Sequence, residues 1–272
     1  MQTPGPSWDA LHARFAEHGA PFAFVIPVFN HAQNVRRVVE EALLSRAPVF
    51  VVDDGSTDET TGILAGIRTA RILRHPVNRG KGAAILTGME AASEAPVRAH
   101  FVVTVDADGQ HHPDEARHLL ASLLSDEPPA LRKSLIVGAR IGMDKGQVPW
   151  SSRVGRGFSG FWVWATGGPS LSDSQSGFRV YPVAETLALP TRARRFEFEV
   201  EVLVHAYRAG IPIREAPVSV EYDPPGGRVS HFRPWRDFAR NSAAFSRLLA
   251  GRFLPRALAR SRKNTEVPRG AP

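Results

Sequence analysis

The hydrophobic pattern alternates between two periods from position 21 onward. Short runs rich in β-branched and aromatic residues, such as AFVIPVFN and PVFVVDD, are followed by segments whose apolar residues recur every three to four positions, such as QNVRRVVEEALLS. The first pattern is typical of buried strands and the second of amphipathic helices. Strands that alternate with helices of this length predict an α/β fold, with a mostly parallel central sheet and helices on both faces.

The same alternation continues to Arg140. It predicts strands over ARILRHP, HFVVTVDAD and SLIVGAR, and helices over GKGAAILTGMEAAS and PDEARHLLASLLS. Ser7 is placed to cap a short helix ahead of the first strand, and Ser56 with Glu59 fits a capping box for the helix in TDETTGILAGIR.

The pattern loosens after Arg140. We predict a loop, then an aromatic-rich helix in SSRVGRGFSGFWVWATG, then strands in FRVYP and IREAPVSVEY. The segment RFEFEVEVLVHAYRAG begins with strand-like alternation but continues with helical spacing, and we interpret it as a helix with a frayed start.

The composition is that of an ordinary globular protein. Of the 272 residues 43% are hydrophobic and 22% charged, and the chain is long enough to bury a large core. It has no cysteine, so any metal must have oxygen or imidazole ligands. The opening MQTPGPSWDALHARF lacks the apolar core of a signal peptide, and no run approaches the roughly 20 apolar residues of a membrane span. We therefore expect a cytoplasmic protein.

The positive charge is concentrated at the C-terminal end. From Arg228 onward eleven lysines and arginines stand against Asp237 and Glu266, a balance of +9, whereas the whole chain carries +7. The apolar residues of this end fall near one helical stripe, which consists of Trp235, Phe238, Phe245, Leu249 and Phe253. A basic helix with an apolar stripe is typical of a segment that lies in an anionic membrane interface. The alternatives are a solvated, disordered end, or packing of the first three aromatics on the domain.

Two aspartates follow the predicted strand FVVTV. In an extended segment Asp106 and Asp108 point the same way, and Gln110 continues the row. Ligands of open α/β sheets bind at the carboxyl ends of strands. Two carboxylates and an amide oxygen suit Mg²⁺ or Mn²⁺ bound together with a substrate phosphate. A calcium EF-hand fits poorly, because its twelfth position would be Arg117.

A second acidic pair, Asp53 and Asp54, ends another strand. Its carboxylates are placed to accept from a base or from ribose hydroxyls, or alternatively to cap a helix and form a turn. Lys81, in the turn NRGKG near a helix start, is a candidate anion contact. This turn matches neither the Walker loop nor the dinucleotide-binding fingerprint.

Other polar clusters favour structural roles. A proline follows His111 and His112, which favours a helix-start or surface role over metal binding. Glu197, Glu199 and Glu201 alternate and are interpreted as one solvated face.

The order of these motifs resembles glycosyltransferase family 2. The resemblance covers about residues 22–231 and rests on VIPVFN, VVDDGSTDET, NRGKGAAILTGM, VTVDADGQHHPDE, IVGAR, SDSQSGFRVYP and FEVEVLVHAYRAGIPIREAPVSVEY. Within the family the chain is most similar to the dolichyl- or polyprenyl-phosphate mannosyl- and glucosyltransferases. The resemblance implies a nucleotide-diphospho-sugar transferase (GT-A type) fold, inversion at the sugar, Mg²⁺ or Mn²⁺, a UDP- or GDP-sugar donor and a lipid-linked acceptor.

We predict a division of the chain into three parts. Residues 1–20 would form an N-terminal helical extension, 21–231 the catalytic domain that the resemblance implies, and 232–272 a basic amphipathic helix and a disordered tail. We expect a peripheral protein on the inner face of the cell membrane, with no nucleic acid partner.

Site residues follow from the resemblance position by position. On the nucleotide-sugar side it implies Pro27, Phe29, His31, Val52, Asp54, Lys81, Asp106, Ala107, Asp108 and Gln110. Of these, Asp106, Asp108 and Gln110 would hold the metal. On the acceptor or phosphate side it implies Arg140, Asp173, Arg179, Glu201, Arg228 and His231. Catalytic roles fall to Asp173, as the base for a hydroxyl acceptor, and to Asp108 and Arg140.

The chain departs from the family pattern at both ends of the resemblance. Phe29 and His31 stand where the family has tyrosine and glutamate, next to the donor base. Pro225 and His231 stand at the arginine and lysine of a late phosphate-binding motif, and Arg228 is the nearest replacement.

Two other functions are compatible with such a sheet. A nucleotidyltransferase requires a basic, glycine-rich first strand–helix turn, which VFNHAQN lacks. A binding or regulatory protein with an inactive transferase fold, recruited through its basic tail, is the other alternative. The aspartates at 106, 108 and 173 favour an enzyme.

Overall fold

A computed structural model describes residues 5–125, 134–140, 163–220 and 245–249. The strands are β1 (Phe22–Val28), β2 (Val49–Asp53), β3 (Arg71–Arg74), β4 (Phe101–Thr104), β5 (Leu135–Arg140), β6 (Arg179–Pro182) and β7 (Ile213–Val218). The helices are α1 (Trp8–Glu17), α2 (Val35–Leu43), α3 (Thr60–Ala65), α4 (Lys81–Ser93), α5 (Ala116–Leu124), α6 (Val183–Leu187) and α7 (Phe198–Arg208). A 3-10 turn, Pro113–Glu115, precedes α5.

The seven strands form one sheet in the order β3-β2-β1-β4-β6-β5-β7. The pairs β2–β3, β1–β2, β1–β4 and β5–β7 are parallel, whereas β6 is antiparallel to both of its neighbours. The prediction of a mostly parallel sheet is confirmed. Because β6 runs the other way, its first residue, Arg179, lies beside Thr104 of β4 and Val137 of β5. The segment that leads into β6 therefore reaches the edge where β4 and β5 end.

Helices cover both faces of the sheet, as predicted. Alternate residues of β1 divide between two cores: Phe22, Phe24 and Ile26 face one, and Ala23 and Val25 face the other. The first core is closed by α1, α2, α3 and α5, and the second by α4, α6 and α7. All seven residues of β1 are buried, as expected for a strand covered on both faces.

The two predicted helix caps have different outcomes. Ser7 caps α1 as predicted, because its hydroxyl accepts from the backbone N–H of Ala10. The capping box at Ser56 is wrong: α3 begins only at Thr60. The Ser56 hydroxyl accepts instead from the backbone N–H of Asn30, 3.0 Å away, and so ties the end of β1 to the turn after β2.

Part of the C-terminal stripe packs on the domain. Phe245 is buried with Val163, Val200 and Val204. This agrees with the packing alternative for Phe245. Leu248, which is not part of the predicted stripe, is buried in the same cluster, whereas Leu249 of the stripe is half-buried. Other parts of the predictions lie outside the described residues, so their roles stay predictions. These are Trp235, Phe238, Phe253, the aromatic segment 151–162, Arg228 and His231.

No helix among the described residues is long and apolar enough to cross a bilayer.

Candidate active site

The chain turns sharply after β4, and both aspartates lie in this turn. The strand ends at Thr104, and Gly109 has a φ of +78°, in the left-handed region that favours glycine. The predicted extended row through Gln110 is therefore wrong. Gln110 is buried, and its backbone N–H donates to Oδ1 of Asp108 at 3.0 Å. Ala107 between the aspartates packs into the first core.

The two aspartates are nevertheless close enough to influence one another. Burial raises the pKa of Asp108 above its usual value, and the neighbouring carboxylate of Asp106 raises it further. Burial also opposes the ionisation of Asp106, but the charge of Lys81, its hydrogen bond and the nearby imidazoles of His111 and His31 together outweigh burial and lower the pKa of Asp106. His31 adds to the downward shift at Asp106 and opposes the upward shift at Asp108. Its predicted donor-side role stays a prediction.

Lys81, the first residue of α4, joins this turn to α7. Its Nζ lies 2.7 Å from Oδ1 of Asp106 and 2.8 Å from Oε1 of Glu199. Burial would lower the pKa of Lys81, but its two carboxylate partners raise it above its usual value. The lysine is thus a fixed cation within the site.

The glutamates of α7 are not a solvated face. Glu199 is 7% exposed and Glu201 is 4% exposed. Oε2 of Glu201 accepts from the backbone N–H groups of Arg192 and Ala193, so this residue pins the segment that precedes the helix. Its predicted acceptor-side role stays a prediction. Glu199 was missed, although Leu203, four residues later on the same helical face, is fully buried.

The acidic pair after β2 is enclosed by the protein. The carboxylate of Asp54 is 3% exposed and accepts from Nδ1 of His75 at 2.7 Å and from the backbone N–H groups of Arg79 and Gly80 at 2.8 and 2.7 Å. These three donors occupy both of its oxygens, so Asp54 holds the turn before Lys81. This geometry supports the turn-forming alternative and does not support the predicted contact with base and ribose.

Asp53 has a similar setting. Its Oδ1 accepts from the backbone N–H of Ser56 at 2.8 Å, and its Oδ2 accepts from the hydroxyl of Thr61 at 2.6 Å. Both aspartates of this pair therefore form turns, one toward α3 and the other toward α4.

The residues predicted to line the base pocket are divided between core and surface. Pro27 and Val52 are paired across β1 and β2 and are buried inside the sheet. Phe29 and His31 lie beyond the end of β1 and are half-buried. The intervening Asn30 has a φ of +54°, and its side-chain oxygen accepts from the backbone N–H of Thr57 at 2.8 Å. A direct contact with a base fits Phe29 and His31 better than the enclosed Val52.

An ion pair lies at the carboxyl end of β5. Nε and one terminal nitrogen of Arg140 contact Oδ2 and Oδ1 of Asp173 at 2.5 and 2.7 Å, a bidentate arrangement. Glu215 of β7 accepts from the backbone N–H groups of Ser172 and Asp173, both at 2.9 Å. Asp173 is thereby fixed from two sides and is 2% exposed.

Arg179 does not face a ligand. Its side chain is fully buried, and its guanidinium donates to the carbonyl oxygens of Ser174, Ser176 and Glu199. The predicted contact with an acceptor phosphate is therefore wrong in this structure, because these carbonyls use its nitrogens. The residue instead holds the loop 173–178 against α7.

His111 links the two sides of the edge. It is 4% exposed and stacks on Phe178, so the surface alternative is wrong for it, whereas the helix-start alternative agrees with the 3-10 turn that begins two residues later at Pro113. Burial lowers its pKa; the nearby Asp106 opposes this shift and Arg140 adds to it. The imidazole of His111 therefore interacts electrostatically with both Asp106, in the turn after β4, and Arg140, in the ion pair after β5. His112 is half-buried and lies 3.5 Å from Glu41.

The donor set at this edge fits a hard divalent cation. Within the described residues, no group of three or more histidine, aspartate or glutamate side chains is arranged to hold a metal. Asp106 and Asp108 offer carboxylate oxygens, which Mg²⁺ and Mn²⁺ prefer. Two carboxylates do not complete such a shell, and a bound phosphate with water supplies the rest in sites of this kind.

The comparison with protein families identifies the class of protein to which this site belongs. The chain belongs to glycosyltransferase family 2, whose model matches residues 23–180. The resemblance seen in the sequence is thereby confirmed, and with it the GT-A type fold and the assignment of the protein as a glycosyltransferase.

Two relatives and one solved structure illustrate the similarity. An uncharacterised protein of Methanocaldococcus jannaschii is 30% identical over 207 residues, 73% of this chain and 80% of the relative. The UDP-N-acetylglucosamine–dolichyl-phosphate N-acetylglucosaminyltransferase of Methanococcus voltae is 29% identical over 219 residues, 73% of this chain and 84% of the relative. Glucosyl-3-phosphoglycerate synthase of Mycobacterium tuberculosis, crystallised with Mn²⁺ and UDP-glucose, superposes with a TM-score of 0.65 at 22% identity, over 92% of this chain and 84% of that one. The last comparison establishes the fold.

Proposed function

We propose that the protein is an inverting, metal-dependent glycosyltransferase that moves a sugar from a UDP- or GDP-sugar to a polyprenyl phosphate or another membrane lipid. The observation that carries the proposal is the position of Asp106 and Asp108 after β4, at the same sheet edge as the Arg140–Asp173 pair after β5. One group suits a nucleotide diphosphate with its cation, and the other suits an anionic acceptor.

The donor side supports a diphosphate leaving group. Asp106 and Asp108 would hold Mg²⁺ or Mn²⁺, which when bound acts as a Lewis acid for the negative charge that develops on the leaving diphosphate. Lys81 adds a fixed positive charge beside Asp106. The relative from Methanococcus voltae is named for a UDP-sugar, and the mycobacterial enzyme binds UDP-glucose with Mn²⁺.

The acceptor side supports a phosphate. Both oxygens of Asp173 contact the guanidinium of Arg140, which leaves Asp173 poorly placed to remove a proton. A phosphate is already an anion at neutral pH and needs no general base, whereas a hydroxyl acceptor does. Arginine is suited to orienting phosphate, and Asp173 with Glu215 holds this arginine in place. The name of the Methanococcus voltae enzyme includes a phosphorylated lipid as its acceptor.

A donor–acceptor panel tests the proposal. UDP-N-acetylglucosamine, UDP-glucose and GDP-mannose are each incubated with polyprenyl phosphate in detergent, with Mn²⁺, Mg²⁺ or excess EDTA. We expect one donor to release its nucleoside diphosphate and yield a glycosylated lipid by mass spectrometry, only with metal present. Transfer that is unaffected by EDTA contradicts the metal assignment. Transfer to 3-phosphoglycerate but not to the lipid contradicts the lipid acceptor.

A membrane contact is the corresponding proposal for the basic C-terminal end. Anionic lipid contributes roughly 1 kcal/mol per nearby basic residue, so a segment of +9 attaches without a spanning helix. In flotation with anionic liposomes we expect the protein to rise at low salt and to lose much of this binding at high salt. Removal of residues 255–272 should weaken flotation. A wild-type protein that stays at the bottom at low salt contradicts the proposal and favours a soluble acceptor.

A further inference from the structure

Glu199 is a buried carboxylate whose contact with Lys81 the proposed reaction has not explained. It lies in the first turn of α7, which packs directly on the first turn of α4: a Cβ added to Gly82 would come within 2.4 Å of the Cβ of Phe198. This close approach brings the Glu199 carboxylate to Nζ of Lys81 at 2.8 Å, while Asp106 contacts the same nitrogen at 2.7 Å. One ammonium group is therefore shared by two carboxylates.

The shared lysine is shielded from water by the loop that carries Asp173. A Cβ added to Gly177 would come within 2.5 Å of both Nζ of Lys81 and Oδ2 of Asp106, and within 2.9 Å of Oε1 of Glu199. The backbone at Gly177 thus lies against all three groups, and Lys81 retains 14% exposure. Charges in such a place interact more strongly than charges in water.

The charge of the site depends on Glu199. Asp106, Asp108 and Glu199 together with Lys81 carry a formal charge of −2, which matches one divalent cation. Without Glu199 the sum is −1, and the ammonium group has Asp106 as its remaining carboxylate partner. A carboxylate paired with one lysine is a weaker ligand, because the ammonium competes with the incoming cation and repels it.

We infer that Glu199 is a positioning residue: it shares Lys81 with Asp106 and so leaves the Asp106 carboxylate available to the divalent cation. The inference rests on the proposed function, since it assumes that Asp106 and Asp108 hold the metal. It assigns to α7 a part in setting the metal affinity of a site that lies after β4.

The test measures Mn²⁺ binding without turnover. Free Mn²⁺ is followed by electron paramagnetic resonance at a UDP concentration that saturates each variant, so that a contribution of Lys81 to nucleotide binding does not enter, for the wild type, Glu199→Gln and the double variant Lys81→Met/Glu199→Gln. Glu197→Gln is the matched control, because it removes the same charge two residues earlier on the same segment. Thermal unfolding verifies that each variant folds.

Glu199→Gln should weaken Mn²⁺ binding about tenfold or more, since it removes one negative charge near a divalent ion in a shielded site. The double variant restores the charge of −2 and should return to within about threefold of the wild type. Glu197→Gln should change the affinity by less than about twofold.

The rescue separates positioning from a merely structural role. Unchanged affinity in Glu199→Gln overturns the inference, and so does a double variant that binds as weakly as the single one. If Glu199→Gln does not fold, the double variant, which removes both partners of the buried pair, decides alone: a loss of more than about tenfold overturns the inference. A wild type that binds no Mn²⁺ overturns the proposed metal dependence itself, an outcome distinct from these.

Discussion

Two pairs of aspartates follow two strands of the same sheet, and the folded protein treats them in opposite ways. Asp53 and Asp54, after β2, are enclosed and receive hydrogen bonds from backbone, hydroxyl and imidazole groups. Asp106 and Asp108, after β4, remain partly exposed; the carboxylate of Asp106 contacts Lys81, and that of Asp108 accepts from the backbone N–H of Gln110. The difference teaches that position at a strand end does not make a carboxylate available. Whether a carboxylate can bind a ligand depends on how many hydrogen-bond donors the protein already directs at its oxygens.

The direction of the pKa shift of Asp108 agrees with this contrast between the two aspartate pairs. A carboxylate that is buried beside another carboxylate resists ionisation, and the pKa of Asp108 is raised accordingly. A carboxylate whose ionisation is opposed by its surroundings is typical of a functional site, where a bound ligand stabilises the charged form. Asp54 needs no such ligand, because three donors from the chain already meet its oxygens.

The largest effect is expected for Asp54→Ala. It leaves His75 and two backbone N–H groups without their acceptor inside the protein, and should lower the free energy of unfolding by about 3 to 5 kcal/mol. Urea denaturation measures this loss. The matched variant Asp108→Ala should cost less than about 1 kcal/mol. Equal losses in the two variants contradict the contrast between the two pairs.

Asp108→Asn should impair ligand binding and leave the stability of the fold nearly unchanged, the reverse of the effect expected for Asp54→Ala. It removes one ionic metal ligand and should weaken Mn²⁺-dependent UDP binding about 100-fold, with the fold intact. Isothermal titration with and without EDTA measures this. Asp114→Asn, at an exposed carboxylate just beyond the same turn, is the control and should bind like the wild type. Wild-type affinity and unchanged Mn²⁺ dependence in Asp108→Asn show that the metal assignment is wrong.

An effect of intermediate size is expected for Asp173→Asn. If the acceptor is a phosphate, Asp173 only holds Arg140, and turnover should fall about tenfold with donor affinity unchanged. Steady-state kinetics with saturating donor measure the change. A loss of 100-fold or more, within the range of about 10² to 10⁴ expected for a general base, means that Asp173 removes a proton and that the acceptor is a hydroxyl.

The smallest effect is expected for Asp58→Asn, in the exposed turn after β2. Burial opposes ionisation here, but hydrogen bonds from Thr60 and Ala32 outweigh it and lower the pKa of Asp58. A lowered pKa contributes stability above the unfolded value of 3.8, and this contribution is lost as pH falls through the folded value. The variant should therefore lose less than about 1 kcal/mol at pH 7, and the loss should disappear once the pH is below the folded value. A difference from wild type that persists at low pH contradicts this cause.

Much of the fold was predictable because its pattern is local. The strands β1 to β5 and their intervening helices follow from runs and periods of ten residues or so. The place of β6 does not, because hydrophobic periodicity carries no strand direction. Thr104 bonds the carbonyl of Gly177, a partner 73 residues later.

The candidate site was predictable in part for the same reason. Strand ends and family motifs led to Asp106, Asp108, Arg140 and Asp173, whose mutual positions the sheet order provides. Glu199 was misjudged because a charged residue in a sequence is first assumed to face water, and Arg179 because it was assigned to the acceptor or phosphate side of the site. Their burial depends on a loop, a helix and backbone carbonyls that only the folded chain brings together.

The antiparallel strand has a consequence for the order in which a ribosome delivers the parts. The strands β1, β2 and β3 and the donor-side turn after β4 are all translated by residue 110, and β4 can pair with β1 at once. The other side of β4 must wait for β6, so the nascent sheet carries an unpaired edge, the kind of surface that invites wrong partners. Asp173 and Gly177 arrive just ahead of the strand that covers this edge. During its synthesis the chain therefore presents Asp106, Asp108, Arg140 and Asp173 before the strand that closes this edge, and the edge stays open until the last of them has been made.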